Sequence, residues 1–337
     1  MLRNYFDYYF TVIFCCVTLF GANVVHAEQI VVFSARIEQL IKPVFDVFTK
    51  DTGIPVKFVT DKEGALLARL KTEGKNTLAD MLITSDAGNL WEAAREGLLK
   101  EVQSETLEKN IPDYLRDPQR QWFGFSVRAR TIVYNTQKVK SSDLSTYEDL
   151  ADPKWRGRLC LRTSKKIYNQ SLVAMMIAEH GEVKTEQIIK GWVHNLAIDP
   201  LSDDTKAMEF VAAGKCDVTL VNTYYYGRLI EKNSALPLAI FWPNQTSTGV
   251  HVNISGAGII KNTRNERAAI KLLEFLSSKK AQHLFADLNM EYPANPEIKP
   301  DPIVSAWGNF KHNQMNVAIT GELQTTAVKL MDRAGYR

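Results

Sequence analysis

The chain has 337 residues, 45% of them hydrophobic, and a formal net charge of +3. That length is enough for two domains, and so small a net charge argues against nucleic-acid binding. Short basic runs such as Lys279-Lys280 are interpreted as solvated faces.

The first 27 residues are predicted to be a cleavable signal peptide. Arg3 gives a basic start, residues 10–20 are strongly apolar, and Val25-His26-Ala27 is a small-x-small type of cleavage site. The apolar core is too short for a comfortable membrane span. We therefore expect a soluble protein exported to the periplasm, with lipid anchoring at Cys15 or Cys16 as a minor alternative.

Two cysteines follow the predicted signal peptide, Cys160 and Cys216. An even pair in an oxidising compartment suggests one disulfide bond. Each cysteine lies in or beside a predicted strand, so the two could be neighbours in one sheet. Two buried thiols are the alternative, and a cysteine-based metal site would need more ligands than the chain supplies.

Apolar runs alternate with amphipathic segments in the first third of the chain. Strands are predicted at 28–33, 55–60 and 79–84, and helices at 36–50, 63–72 and 90–97. Such alternation implies parallel βαβ units with right-handed crossovers. Because it breaks after three units, it favours an open doubly wound sheet over a barrel.

The alternation restarts after a strand at 123–134, in which Arg128 and Arg130 are spaced to share one face. Further strands are predicted at 158–161, 215–221, 238–242 and 250–255, with helices at 168–179, 185–196, 205–213, 224–231, 265–277, 279–288 and 323–331. Gly256-Ala-Gly258 is expected to be flexible. Asp203 and Asp204 are interpreted as charges at a helix N-terminus, or alternatively as groups that face a cleft.

Two α/β units joined by extended segments suggest two lobes with a hinge and a ligand between them. The segments lie near 126–135 and 248–258. We predict an N-lobe of residues 28–128 and 254–306, and a C-lobe of residues 129–253 and 307–337.

The chain carries no familiar catalytic motif. It lacks a nucleophile elbow, a phosphate-binding loop and a zinc-protease helix. The histidines after the signal peptide lie at 180, 194, 251, 283 and 312, without ligand spacing, and are interpreted as structural or exposed. We therefore do not expect an enzyme, which remains a remote alternative on the same fold.

Tyrosines follow two predicted strands of the second unit. Tyr224, Tyr225 and Tyr226 come directly after a strand that ends at Asn222-Thr223, and their spacing of about 100° prevents all three from facing the core. Tyr168 occupies the same position after the strand at 158–161. Strand-to-helix turns deliver such residues to the carboxyl edge of a sheet, where ligands bind. The phenols could pack, stack on a ligand, or bind a hard metal ion.

A trivalent ion would suit this set of side chains. Phenols ionise only near pH 10 when free, but an ion of high charge density deprotonates its ligands. Three phenolates would balance a 3+ charge, and positive helix N-termini would stabilise them. Arg36, Arg128 and Arg130 could hold a small oxyanion such as carbonate that completes the coordination.

The chain resembles the periplasmic ferric-iron-binding proteins of bacterial ABC transporters. The most specific shared motifs are Tyr168-Asn-Gln-Ser171 and Asn222-Thr-Tyr-Tyr225. Other matching stretches lie at 52–54, 70–74, 79–84, 127–134, 152–157 and 251–258. The resemblance implies a two-lobed Venus-flytrap fold of the type II class, with Tyr168, Tyr224 and Tyr225 as iron ligands and Tyr226 as packing.

One stretch departs from the family pattern. The family usually has Tyr-Ser-x-Arg-His-Tyr after the first strand, whereas this chain has Phe33-Ser-Ala-Arg-Ile37-Glu38. Arg36 is retained, but Ile37 cannot bind a metal. Glu38 takes the place of the second tyrosine and could bind through its carboxylate, or it could be a solvated glutamate at a helix start.

These features predict a binding protein that captures Fe³⁺ between its lobes and delivers it to an inner-membrane ABC permease. We expect a monomer that binds no nucleic acid. The main alternative is a binding protein of the same fold for another small ligand, such as an organic cation or a chelated metal, on which the tyrosines would stack.

Overall fold

The computed structural model describes residues 29–337. The predicted signal peptide lies outside the described residues. Within them, no helix has the length and apolar character needed to cross a membrane.

The first lobe is built on one sheet. Its strands are β1 (Ile30–Ser34), β2 (Val56–Thr60), β3 (Met81–Thr84), the first half of β4 (Phe123–Asn135), β8 (Val252–Ile259) and β9 (Tyr292–Pro293). The strand order is β2-β1-β3-β8-β4, and β9 is a short edge strand that pairs with β4. Its helices are α1 (Glu38–Thr52), α2 (Glu63–Glu73), α3 (Ala87–Arg95), α4 (Glu105–Asn110), α8 (Glu266–Ser277) and α9 (Lys279–Asp287). β1 is parallel to β2 and β3, whereas β8 runs antiparallel to β3 and β4.

The second lobe is a smaller sheet around the other half of β4. Its further strands are β5 (Leu159–Cys160), β6 (Val218–Asn222) and β7 (Leu238–Phe241). Its helices are α5 (Ile167–Asn195), α6 (Asp204–Ala212) and α7 (Thr223–Lys232). The tail adds the short helices α10 (Pro302–Ser305) and α11 (Ile319–Glu322) and a final helix, α12 (Gln324–Arg333). β5 and β6 are parallel, so their carboxyl ends lie at the same edge of the sheet.

Strand β4 belongs to both sheets. Ala129 pairs with Val252 in the first sheet, and the next residue, Arg130, pairs with Asn222 in the second. The predicted extended connection is therefore one continuous strand, and the type II two-lobed architecture is confirmed.

Each lobe has its own hydrophobic core. The first core includes Phe45 and Trp122, and the second includes Trp155 and Trp192. The tail crosses between them, since Val317 and Ala318 pack in the first core while Ala327 and Leu330 pack in the second. The tail, which was predicted to belong entirely to the C-lobe over residues 307–337, therefore contributes to the cores of both lobes.

The prediction that residues 256–258 are flexible is wrong. Gly256 and Gly258 lie inside β8, between β3 and β4. A Cβ atom on Gly256 would lie 2.5 Å from the carbonyl oxygen of Phe123, so the glycines allow close approach of backbones rather than movement.

The predicted pair of helices at 168–179 and 185–196 is confirmed in outline. α5 runs from Ile167 to Asn195 but is broken at Gly181, whose φ of 77° is not helical. Only glycine adopts this left-handed conformation readily, so Gly181 separates two helical segments.

Candidate metal-binding site

Two neighbouring strands of the second lobe lead into helices that begin with tyrosines. β6 ends at Asn222, and Tyr224 and Tyr225 lie in the first turn of α7. β5 leads through a loop to α5, in which Tyr168 is the second residue. Both helix N-termini therefore point their positive dipole ends at the same region.

The three tyrosines line one cavity of about 160 Å³ between the lobes. The rings of Tyr224 and Tyr225 lie 4.4 Å apart, centroid to centroid. Tyr168 and Tyr224 are buried, and Tyr225 is half-buried. The structure thus brings together the three phenols that the sequence singled out.

Tyr226, the next residue, does not line this cavity. Its ring packs edge-on against Trp307 at 6.1 Å, which agrees with the packing role expected for it.

Burial in this cavity favours neutral phenols. Burial raises the pKa of Tyr168 above its ordinary value, and the neighbouring Tyr225 adds to this shift. Burial also raises the pKa of Tyr224 well above its ordinary value, and Tyr168 and Tyr225 reinforce the effect. Arg128 opposes both shifts, but does not overcome the desolvation.

Cationic side chains surround the phenols. The Arg128 guanidinium lies 5.5 Å from the Tyr168 ring centroid, and Lys166 Nζ lies 4.7 Å from it. Arg162 lies 5.9 Å from the Tyr225 ring, and Arg228 lies 5.4 Å from the Tyr224 ring. This positive surrounding would stabilise phenolates or a bound anion.

On the first-lobe side, the cavity is lined by a buried ion pair. Arg36 Nη1 donates to Glu291 Oε2 at 2.9 Å, and Arg36 Nη2 donates to the carbonyl oxygen of Phe285 at 2.9 Å. Burial works to raise the pKa of Glu291, but Arg36 and Arg128 hold it below the usual value. Arg36 Nε is buried without a hydrogen-bond partner among the described residues.

Asp86 connects the two lobes beside the cavity. Its Oδ1 accepts from the Gly88 amide and so caps α3, while its Oδ2 accepts from Ser171 Oγ at 3.0 Å. Arg128 lies 3.6 Å from the same carboxylate. Burial raises the pKa of Asp86 to about 6, against the opposing charge of Arg128.

Arg130, predicted to hold an anion, does not reach the cavity. Its Nη1 bonds to Asp204 Oδ2 at 2.7 Å and its Nη2 to Asn169 Oδ1 at 2.6 Å, and all three residues are buried. Arg128 lines the cavity and Arg130 does not, because β4 passes from the first sheet to the second between these two residues. Its partner Asp204 therefore has a structural role, rather than facing the cleft.

Glu38, proposed as a substitute ligand, lies outside the cavity. It is the first residue of α1, is exposed, and borders a neighbouring depression with Glu63, Lys166 and Tyr168. Ile37 instead lines the tyrosine cavity, and 56% of its surface is exposed. An apolar side chain thus occupies the mouth of the cavity on the first-lobe side.

Several residues of the site were missed in the sequence. They are Arg162, Lys166, Arg228, Asn289 and Glu291, together with Glu63, whose charge acts on Tyr168. Lys166 and Arg228 are close in sequence to the tyrosines, so a search for cations near the two helix starts would have found them. Glu291 has no such local signal.

The disulfide bond joins the two strands that carry the tyrosines. Cys160 ends β5 and Cys216 lies two residues before the start of β6, and their Cα atoms lie 5.8 Å apart. The predicted pairing is confirmed, and the bond lies at the opposite end of β6 from Tyr224.

The chain matches a known protein family over residues 76–307, described as bacterial extracellular solute-binding proteins. It is 43% identical over 316 residues to iron uptake protein A1 of Synechocystis sp., covering 92% of this chain and 88% of the relative. It is 25% identical to the major ferric iron-binding protein of Neisseria meningitidis, covering 92% of this chain and 93% of that relative.

Solved structures of related proteins have the same fold. A Trichodesmium FutA protein in complex with iron and citrate ligands matches with a TM-score of 0.89 and 43% identity, over 92% of this chain and all of the other. A Mannheimia haemolytica ferric iron-binding protein A in an open conformation matches with a TM-score of 0.86 and 38% identity, over 92% of this chain and 99% of the other.

Proposed function

Since the chain belongs to the family of bacterial extracellular solute-binding proteins, we propose that it captures ferric iron between its lobes and delivers it to an ABC permease. The observation that carries this proposal is the meeting of Tyr168, Tyr224 and Tyr225 in one cavity between the lobes. Phenolates are hard ligands, and three of them match the charge of Fe³⁺.

Ligand capture would begin on the second lobe. Tyr168, Tyr224 and Tyr225 all belong to it, so an open cleft would still present the complete set of phenols. On binding, the ion would displace the phenol protons, and the two helix N-termini would stabilise the resulting negative oxygens.

The first lobe would then close over the ion. Asp86 and Arg128 meet Ser171 and Tyr168 at the boundary between the lobes, and Ile37 covers the cavity mouth. A related protein is known in an open conformation, which supports such a movement. Delivery to the permease requires only reopening, so no covalent chemistry and no enzymatic activity are part of this proposal.

A small anion would complete the coordination. Arg36 retains one unpartnered buried donor, Nε, and Arg128 lies on the Tyr168 side of the same cavity. Because Ile37 supplies no ligand atom, we expect the anion, such as carbonate, or water to fill the positions that the first lobe leaves open. A binding protein for an organic cation or a chelated metal would instead use the tyrosine rings for stacking.

The proposed setting is the periplasm, with the protein acting as a monomer that binds no nucleic acid. The match to extracellular solute-binding proteins and the predicted signal peptide support export. The inner-membrane permease would recognise the closed, iron-loaded form.

Iron loading of the purified protein tests the proposal. Tyrosinate-to-Fe³⁺ charge transfer should give a visible absorption band, which Tyr168→Phe, Tyr224→Phe and Tyr225→Phe should weaken or abolish. Tyr226→Phe is the matched control, since this tyrosine packs on Trp307 and should leave the band unchanged. A colourless loaded protein whose iron affinity survives the Tyr224 and Tyr225 substitutions would exclude the ferric site.

A further inference from the structure

A second group of potential metal ligands lies in the second lobe, separate from the tyrosine cavity. Glu179 and His180 end the first segment of α5, just before the break at Gly181. Glu148 begins a short turn of 3₁₀ helix at Glu148–Ala151. One ligand atom from each of the three side chains lies within 4.8 Å of the other two.

The histidine faces both carboxylates with the same nitrogen. His180 Nε2 lies 2.7 Å from Glu148 Oε1 and 3.6 Å from Glu179 Oε2. Two ligand atoms bound at about 2.0 Å to a tetrahedral zinc ion are separated by about 3.3 Å. The two spacings bracket that value and differ from it by about 0.6 Å and about 0.3 Å, so modest side-chain shifts would let His180 share an ion with each carboxylate.

Glu179 Oε2 provides an independent indication of a ligand. The Glu179 side chain is only 4% exposed, and this oxygen is buried without a hydrogen-bond partner among the described residues. A buried carboxylate oxygen that lacks a donor is costly, because it loses its hydration without compensation. The unpartnered oxygen points towards His180 and Glu148, where a bound cation would compensate its negative charge.

The charge balance also favours a cation. Among the residues that the structure describes, no lysine or arginine forms an ion pair with Glu148 or Glu179. A protonated His180 would offset only one of the two negative charges. A divalent ion bound by neutral histidine would neutralise both carboxylates.

Neighbouring amides hold the carboxylates in place. Asn244 Nδ2 donates to Glu148 Oε2 at 3.1 Å, and Asn313 Nδ2 donates to Glu179 Oε1. These bonds orient the carboxylates and leave Glu179 Oε2 free, as the outer ligand shell of a metal site does.

We propose that Glu148, Glu179 and His180 form a second metal site that takes a divalent first-row ion. One imidazole and two carboxylates are a ligand set that suits Zn²⁺, with water in the fourth position. This inference does not depend on the ferric function, because it uses none of the residues of the tyrosine cavity.

The position of the site suggests what the ion would do. Asn244 lies in the segment that leads from β7 to β8, and Asn313 lies in the tail, next to the bridge between Val250 and His312. Both segments cross from one lobe to the other. A bound ion would fasten these crossings to α5 and so stabilise the connection between the lobes.

Zinc binding to the iron-free protein tests the proposal. A parent variant, Tyr224→Phe with Tyr225→Phe, removes competing ligands in the tyrosine cavity. Calorimetric titration of this parent with ZnCl₂ should show one saturable site and a zinc-dependent rise in Tm. Adding Glu179→Gln or His180→Gln removes a proposed ligand and should weaken zinc binding by at least the roughly 10-fold to 100-fold that loss of an outer-shell partner causes.

His283→Gln in the same parent is the matched control. His283 forms an exposed pair with Asp287 and is, in the described part of the chain, the other histidine–carboxylate contact that could attract zinc. This control should retain the zinc site, and circular dichroism should confirm that each variant is folded. Should the buried Glu179→Gln substitution unfold the chain, His180→Gln and Glu148→Gln, at more exposed positions, take its place. The proposal is overturned if the parent shows no saturable binding at micromolar zinc, or if the cluster variants bind as the parent does.

Discussion

Asp86 of the first lobe accepts a hydrogen bond of 3.0 Å from Ser171 Oγ of the second lobe. The same carboxylate accepts from Asn253 at 2.9 Å and lies 3.6 Å from Arg128, and it is fully buried. One ionisable group therefore holds the lobes together beside the tyrosine cavity, and its protonation state affects the stability of the closed form.

The contribution of Asp86 to stability should depend on pH. Burial raises its pKa from 3.8 to about 6. The folded state therefore binds the proton more tightly than the unfolded state. The resulting stability is fully present below the unfolded pKa and is lost as the pH rises through 6. Relative to Asp86→Asn, the wild type should gain on the order of 2 kcal/mol between pH 7 and pH 4.

Urea unfolding of both proteins at several pH values in this range measures that difference. The comparison with Asp86→Asn cancels the titration of the other groups that the two proteins share. A constant difference in unfolding free energy across the range would show that the Asp86 carboxylate titrates normally.

Iron binding should release protons from the phenols. Burial raises the pKa of Tyr168 and of Tyr224, so both are neutral near pH 7 before iron arrives. Capture of Fe³⁺ as the tyrosinate complex should therefore release about two to three protons. Iron affinity should fall steeply as the pH decreases, because protons compete with the metal for the same oxygens.

Calorimetric titrations in buffers of different ionisation enthalpy count these protons directly. Tyr168→Phe should reduce the number by one, while Tyr226→Phe should leave it unchanged. Binding without proton release would favour stacking of the rings on another ligand over ligation through the phenol oxygens.

Arg128 and Arg130 should respond differently to substitution. Arg130 is fully buried against Asp204, so Arg130→Met leaves a buried carboxylate whose remaining cationic neighbour among the described residues is Arg162, at 3.7 Å. Breaking such a pair typically costs about 3–5 kcal/mol of stability. Arg128→Met should instead weaken iron binding that depends on carbonate, since Arg128 lines the cavity.

Urea unfolding and iron titration with and without carbonate separate the two roles. The folded fraction of Arg130→Met should bind iron with the carbonate dependence of the wild type. Loss of that dependence in Arg130→Met would restore the prediction that Arg130 holds the anion.

The predictable part of the site depends on local sequence patterns. Tyr168, Tyr224 and Tyr225 follow strand-to-helix turns, and parallel neighbouring strands bring such turns to one edge. The lobe architecture was similarly readable from alternating apolar segments. The placement of these phenols and the division into two lobes needed only periodicity and the rule that parallel strands end on the same side. The ligand role of the three tyrosines, and the exclusion of Tyr226, came from the family resemblance.

The parts that could not be predicted depend on long-range contacts. Arg128 and Arg130 share a face only if their strand stays in one sheet, but β4 changes partners between them. The pairing of Arg36 with Glu291 joins residues 255 positions apart, and no local pattern indicates it. Likewise, His180 has no ligand spacing in sequence because its partner Glu148 comes from a separate turn.

The disulfide bond should stabilise the fold without being required for the site. Cys160 and Cys216 are 56 residues apart in the chain, and closing a loop of that length contributes about 4 kcal/mol through chain entropy. Replacing both cysteines with serine should lower the unfolding free energy by roughly that amount. Iron affinity at low temperature should be retained, because Tyr224 lies at the opposite end of β6 from Cys216 and the loop that follows β5 separates Cys160 from Tyr168. Parallel urea and iron titrations test both expectations, and a large loss of affinity would mean that the bond positions the tyrosines.

Ile37 offers a test by gain of function. It lines the tyrosine cavity on the first-lobe side and is 56% exposed, so Ile37→His should have little effect on stability. The new imidazole would place a nitrogen ligand opposite the tyrosines, at the position where related ferric-binding proteins usually carry histidine. We expect tighter iron binding and a shifted charge-transfer band, measured by competition with a chelator and by visible absorption. Ile37→Leu is the matched control and should leave both unchanged. If Ile37→His has no effect on the spectrum, the first lobe does not approach the metal at this position, and anion or water alone completes its coordination.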